Sequence, residues 1–175
     1  KTVWQDYSQQ YAPLSQKIAL VTEFIKTVQP KLLLDLGCNT GFYSKLALQN
    51  GAQQVIGFDS DAGALEQVFA LAQTEKLNFL HLYMDMANPS PYQGWREAER
   101  FGLAQRAQAD ALLALAVTHH LAIARNIPLD QLIEWLVSLA PQGLIEFVPK
   151  HDPQLQQLLY LREDIFDDYS VFTYC

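Results

Sequence analysis

Apolar positions along the chain recur at helical and strand-like spacings in regular alternation. Ile18, Val21, Ile25 and Val28 share one face of a helix over residues 15–28, which Ser15 can cap and Pro30 stops. Residues 31–37 (KLLLDLG) form a short apolar run closed by glycine, the pattern of a strand covered on both faces. A helix over 42–50 follows, closed by Gly51, then a strand at 53–59 (QQVIGFD) and a helix at 61–76. The third strand is read at 78–85 (NFLHLYMD). A proline-bearing loop and a helix near 97–108 lead to a fourth strand at 109–117 (ADALLALAV). Pro128 introduces a helix over 129–140, and a fifth strand falls at 143–148 (GLIEFV). Asp152 and Pro153 then open a last helix that reaches residue 166.

This order predicts an α/β fold, a doubly wound and mostly parallel sheet with helices on both faces. Such sheets bind ligands beyond the carboxyl ends of their strands, where the strand order reverses. Polar residues collect at those ends. Asp35 and Gly37 follow strand one, Asp59 strand two and Asp85 strand three; Thr118, His119 and His120 follow strand four, and Glu146 ends strand five.

Composition narrows the function. The 175 residues, half of them apolar, suffice for a single domain spanning 1–175, with 1–30 a cap segment and helix. A net charge of −7 supplies no broad basic footprint, so nucleic acid is not an expected partner. No apolar run approaches the roughly 18 residues of a membrane span. Cys38 and Cys175 are too few for a disulfide framework and have no zinc-ligand spacing, so no metal is expected and a cytoplasmic setting is the simplest reading.

The turn after strand one, D-L-G-C-N-T-G from Asp35 to Gly41, resembles the glycine-rich motif of class I, Rossmann-like methyltransferases that use S-adenosylmethionine. The resemblance runs over residues 7–166. Asn39 replaces the usual middle glycine with a residue that tolerates left-handed backbone. The dinucleotide pattern G-x-G-x-x-G is not met. The resemblance implies S-adenosylmethionine as cofactor, held by Asp35, Gly37, Asn39 and Gly41. Asp59 would accept from the ribose hydroxyls and Asp85 from the adenine amine, with Met86 beside the ring and Ala116 near the methionine part. His119 and His120 stand where the acceptor approaches, as candidate bases titrating near neutral pH, although successive residues point differently and both are not expected to face the cleft. They can equally serve to orient the loop. A small-molecule oxygen or nitrogen acceptor is expected. A cofactor-binding module without turnover and an RNA methyltransferase remain the alternatives.

The phrases A-N-P-S-P, L-A-V-T-H-H-L and I-E-F-V-P-K resemble a bacterial group that stands alongside rhizobial nodulation proteins. Tyr92 and Trp95, in the stiff loop after strand three, are candidates to wall the acceptor pocket. Tyr7 and Tyr11 sit where this class folds a segment over its ligand. Residues 169–175 (YSVFTYC) have strand-like composition and no charged residue. An apolar strand at a sheet edge invites pairing, so a longer natural chain or a partner is expected to cover it.

Overall fold

In the computed structural model, which describes residues 14–160, 163–167 and 169–170, five short apolar runs pair into one sheet. They are β1 (Leu32–Leu36), β2 (Gln54–Asp59), β3 (Phe79–Tyr83), β4 (Ala111–Ala114) and β5 (Gly143–Ile145), in the order β3-β2-β1-β4-β5. Every pairing is parallel, and Leu36 of β1 stands level with Phe58 and Ala114. The order reverses between β1 and β4, and there the crossover connections leave in opposite directions and open a crevice at the carboxyl ends.

Alternation of side chains along each strand feeds two cores, one per face. Leu33, Val55, Phe79 and Leu113 pack beneath α1 (Leu14–Val28), α2 (Phe42–Gln49) and α3 (Ala62–Glu75), which contribute Val21, Ile25, Ala47 and Val68. Leu34, Leu36, Phe58 and Leu112 face the other way, toward α4 (Leu103–Arg106), α5 (Leu129–Leu139) and α6 (Pro153–Leu159). Local sequence fixes several helix ends. The Asp61 carboxylate accepts from the Gly63 and Ala64 N–H groups to cap α3, and Asp152 accepts from Gln154 N–H ahead of α6, with Pro153 in the first turn.

The doubly wound parallel sheet agrees with the sequence pattern, while several elements are shorter than the periodicity suggests, β3 (Phe79–Tyr83) and β5 (Gly143–Ile145) among them. The helix expected near 97–108 is one turn, α4. Gly94, Arg96 and Glu97 all take positive φ, and Gln93 bridges Arg100 in antiparallel fashion, so the chain folds back before Gly102 and cannot wind earlier. β4 stops at Ala114, because Ala116 lies at φ +52° and turns the backbone out of the ladder. The last helix ends at Leu159; Phe166 and Tyr169 are buried without helical structure, and the Tyr169 hydroxyl donates to the Val148 carbonyl at 2.9 Å. A π-turn at His120–Ala124 follows β4 and was not visible in the periodicity. Residues 7, 11 and 171–175, on which expectations also rested, lie outside the described residues. Among the described residues no helix is long and apolar enough to cross a membrane.

Candidate functional site

A cavity of about 520 Å³ opens at the carboxyl end of the sheet, over the place where the strand order reverses. Its floor is the turn from β1 into α2. Gly37 and Cys38 both donate backbone N–H bonds to the Phe58 carbonyl, at 2.8 and 3.0 Å, which ties that turn to β2. Gly37, Asn39 and Gly41 take φ of +77°, +47° and +79°, so the three alternate positions share the left-handed region that asparagine tolerates best after glycine. Gly41 does not line the cavity. A Cβ there would stand 2.8 Å from the Phe79 ring and 3.3 Å from Val68, so this glycine lets α2 start close against the sheet.

Asp35, Gly37, Asn39, Asp59, Asp85, Met86, Ala116 and His120 all line this one cavity, although they come from four separate strand ends. The Asp59 carboxylate accepts the Asn39 N–H on one oxygen and the Asp61 N–H on the other, each at 2.8 Å. A carboxylate has about four acceptor positions, so each oxygen retains one for a ligand hydroxyl. Asp35 is buried at the cavity base. The Ser44 hydroxyl donates to it at 2.5 Å and favours the charged form, yet burial dominates and, with Asp59 nearby, pushes its carboxyl up to about 6. Asp85 has a partner with no local sign in the sequence: Arg125, at the end of the π-turn, donates to it at 2.6 Å, while Ala87 N–H takes the other oxygen.

The paired histidines diverge. His120 lines the cavity, whereas His119 is wholly buried and both its ring nitrogens lack a hydrogen-bond partner. The two rings lie 4.0 Å apart between centroids. Burial lowers His120 to about 4 and His119 to about 3, the latter helped by His120 and Lys17, so both imidazoles are neutral at pH 7. Neither therefore titrates near neutral pH, contrary to the expectation from unperturbed histidine. Glu146 is in contact with Lys17 of α1, which donates at 2.7–2.8 Å, and the buried Thr118 hydroxyl donates to the Glu146 carbonyl. Tyr92 and Trp95 are not lining residues.

Lys17, Tyr43 and Arg125 also line the cavity, without having been singled out in the sequence. Burial, with Glu146 and Asp35 nearby, raises the Tyr43 phenol to about 12, so it stays protonated and able to donate. No motif marks these residues. Lys17 meets Glu146 across 129 positions of chain, and only the sheet order brings them together.

Residues 34–147 match the family described as methyltransferase domain, and the chain belongs to that family: it is an S-adenosylmethionine-dependent methyltransferase domain of the Rossmann-like class. Over 174 residues it is 48% identical to Nodulation protein NoeA of Rhizobium meliloti (strain 1021), covering 97% of this chain and 37% of NoeA. Among solved structures it resembles the bifunctional kinase-methyltransferase WbdD, at a TM-score of 0.61 and 21% identity over 81% of this chain and 30% of that one. It also resembles the [4+2]-cyclase SpnF, at a TM-score of 0.53 and 18% identity over 73% of this chain and 41% of that one. The chain thus spans well under half the length of these relatives.

The cavity fits the family's donor on its own geometry. Its volume lies in the usual range of about 300–1,000 Å³ for ligand sites. Acceptor-only groups at Asp59 and Asp85 suit hydroxyl and amine donors, and Met84, Met86 and Leu121 supply apolar walls between polar ends.

Proposed function

We propose that this domain methylates an oxygen or nitrogen atom of a small molecule that enters beside His120. The observation that carries the reading is the convergence of Asp35, Asp59, Asp85 and the left-handed turn on one cavity at the reversal of strand order. In this reading Asp59 binds the ribose hydroxyls, Asp85 the adenine amine and Asp35 the cationic methionine end. Gly37, Asn39 and Ala116 present backbone to the ligand, and Met86 packs beside the base. Gly41 acts through packing alone.

S-adenosylmethionine supplies a sulfonium-bound methyl group, open to in-line displacement. The protein's task is chiefly positioning: holding the acceptor aligned at about 3–3.5 Å accounts for roughly 7–11 kcal/mol of barrier reduction. His120, neutral and facing the cavity, orients the acceptor through a hydrogen bond and can take its proton, although a base near pKa 4 is a weak one. Burial keeps His119 from touching the acceptor, and its contribution is to the shape of the turn beneath His120. A single-domain net charge of −7 supports a small acceptor over RNA.

Calorimetric titration with S-adenosylmethionine and then S-adenosylhomocysteine tests the donor assignment. Both should bind, and Asp59→Ala should weaken each by about 1.5–3 kcal/mol, the scale of hydrogen bonds to a charged group. Absence of binding by the folded wild-type chain refutes the reading. An acceptor screen on the longest natural chain then separates turnover from binding alone, a distinction the fold does not decide, since a cyclase shares it.

A further inference from the structure

The strand β3 is an edge of the sheet among the described residues, and its sequence, Phe-Leu-His-Leu-Tyr, has the same chemical order read in either direction. Val55 N–H donates to the Asn78 carbonyl and Met84 N–H to the Asp59 carbonyl, so the even-numbered residues face β2 along the ladder. The backbone groups of Phe79, His81 and Tyr83 consequently point outward. No charged residue or proline lies within the strand to protect that edge. Leu80 and Leu82 are 46% and 39% exposed, so one face of the sheet is open at this edge.

We propose that β3 pairs antiparallel with β3 of a second copy of this chain, across a twofold axis through His81. That register sets Phe79 opposite Tyr83, His81 opposite His81 and Leu80 opposite Leu82 of the second copy. The three outward-facing residues then all fall in hydrogen-bonded pairs, each exchanging both N–H···O bonds, and the leucines fall in the closer non-hydrogen-bonded pairs. A one-residue shift would turn outward groups against inward ones and lose the ladder.

The helix above the edge fits the same axis. Phe69 of α3 is 53% exposed and sits edge-on to His81, with ring centroids 5.6 Å apart. Being level with His81, its exposed half meets its own counterpart across the axis. With α3 packed over β3 and, less closely, β2, the two α3 helices lie side by side on the same face of the joined sheet, across the axis. The shallow groove between Ala62, Glu66, Phe69 and Tyr83 is thereby filled. A self-complementary edge favours a second copy over an unrelated strand, since an isologous contact requires one patch to match itself.

Sedimentation equilibrium of the chain at about 100 µM should give a dimer whose population depends on concentration. Leu82→Lys, which charges the exposed edge, should shift it to monomer. His81→Pro should do the same while sparing the β2 ladder, because the His81 N–H points away from β2. Both variants should keep the wild-type circular dichroism and S-adenosylmethionine affinity, since neither position lines the donor cavity. A wild-type monomer at this concentration overturns the proposal, as does a dimer that survives both folded variants. Neither result bears on the methyltransferase reading, which the donor titration tests separately.

Discussion

Asp35 carries opposite demands in one carboxyl group. In its proposed role, binding a cationic ligand end calls for the charged form, and burial resists it, holding the carboxyl up to about 6 against an ordinary 3.8. A carboxyl raised on folding stabilises the native state fully below its unfolded pKa, and that contribution is lost as pH rises through the folded value, here between about 4 and 6. Asp35→Asn keeps an acceptor for Ser44 and removes the buried charge. It should therefore be more stable than wild type by roughly 1–3 kcal/mol in urea denaturation at pH 8, level with it near pH 4, and weaker in donor binding. His120 gives the second prediction at this scale. With its pKa near 4, the rate should show no ascending limb between pH 6 and 8 that belongs to this residue. His120→Gln should lower kcat by about 10²-fold or less without moving the profile in that range. A limb near pH 6.5 abolished by the substitution would show that ligand binding restores the ordinary histidine pKa. Acidic residues at strand ends were legible in the sequence because strand termini announce themselves. The ion-paired Arg125 and Lys17 were not, since a salt bridge across 40 or 129 positions leaves no local trace.

At the scale of elements, the turn from β1 into α2 joins backbone conformation to packing. Gly41→Ala adds a methyl group 2.8 Å from the Phe79 ring at φ +79°, two faults at once. Thermal and chemical denaturation should report a loss above about 2 kcal/mol, with α2 displaced from the sheet and donor affinity reduced as a consequence. The contrast with Asn39 is instructive, because that position requires left-handed backbone and has room for a side chain, so a non-glycine residue occupies it. Strand and helix order could be read from periodicity because the central runs, β1, β2 and β4, are largely buried and stand out as apolar, while β3 and β5 keep the same spacing between helices. Lengths could not, where the backbone leaves its regular form for reasons outside the period: the reversed φ at Arg96, Glu97 and Ala116, and the antiparallel bridge from Gln93 to Arg100. The π-turn escaped for the same reason, since His120–Ala124 offers an apolar pattern compatible with several windings.

Across the whole molecule, the buried histidines set the response to acid. A histidine whose folded pKa is lowered costs stability as pH falls below its unfolded value of 6.5, because the unfolded chain takes up a proton that the native state refuses. His119 and His120 act together in this direction between pH 6.5 and about 4, and Asp35 opposes them over part of the window. His119→Leu removes one such proton along with two unpartnered buried nitrogens. Its stability relative to wild type should gain roughly 2 kcal/mol between pH 7.5 and pH 5, as measured by urea denaturation at each pH. An unchanged difference would mean that His119 is protonated in the native state.

The reversal of strand order has a kinetic consequence. Leu33 pairs with Ala111, and Leu36 with Ala114, so the crevice does not exist until a loop of nearly half the chain has closed. Parallel sheets with such distant pairings fold slowly, because the entropy of closure is spent before any contact across the seam repays it. A ligand seated over β1 and β4 meets its walls only once that seam has joined. In stopped-flow refolding it should therefore leave the folding limb unchanged and slow the unfolding limb alone, so that occupancy prolongs the lifetime of the native domain without hastening its arrival.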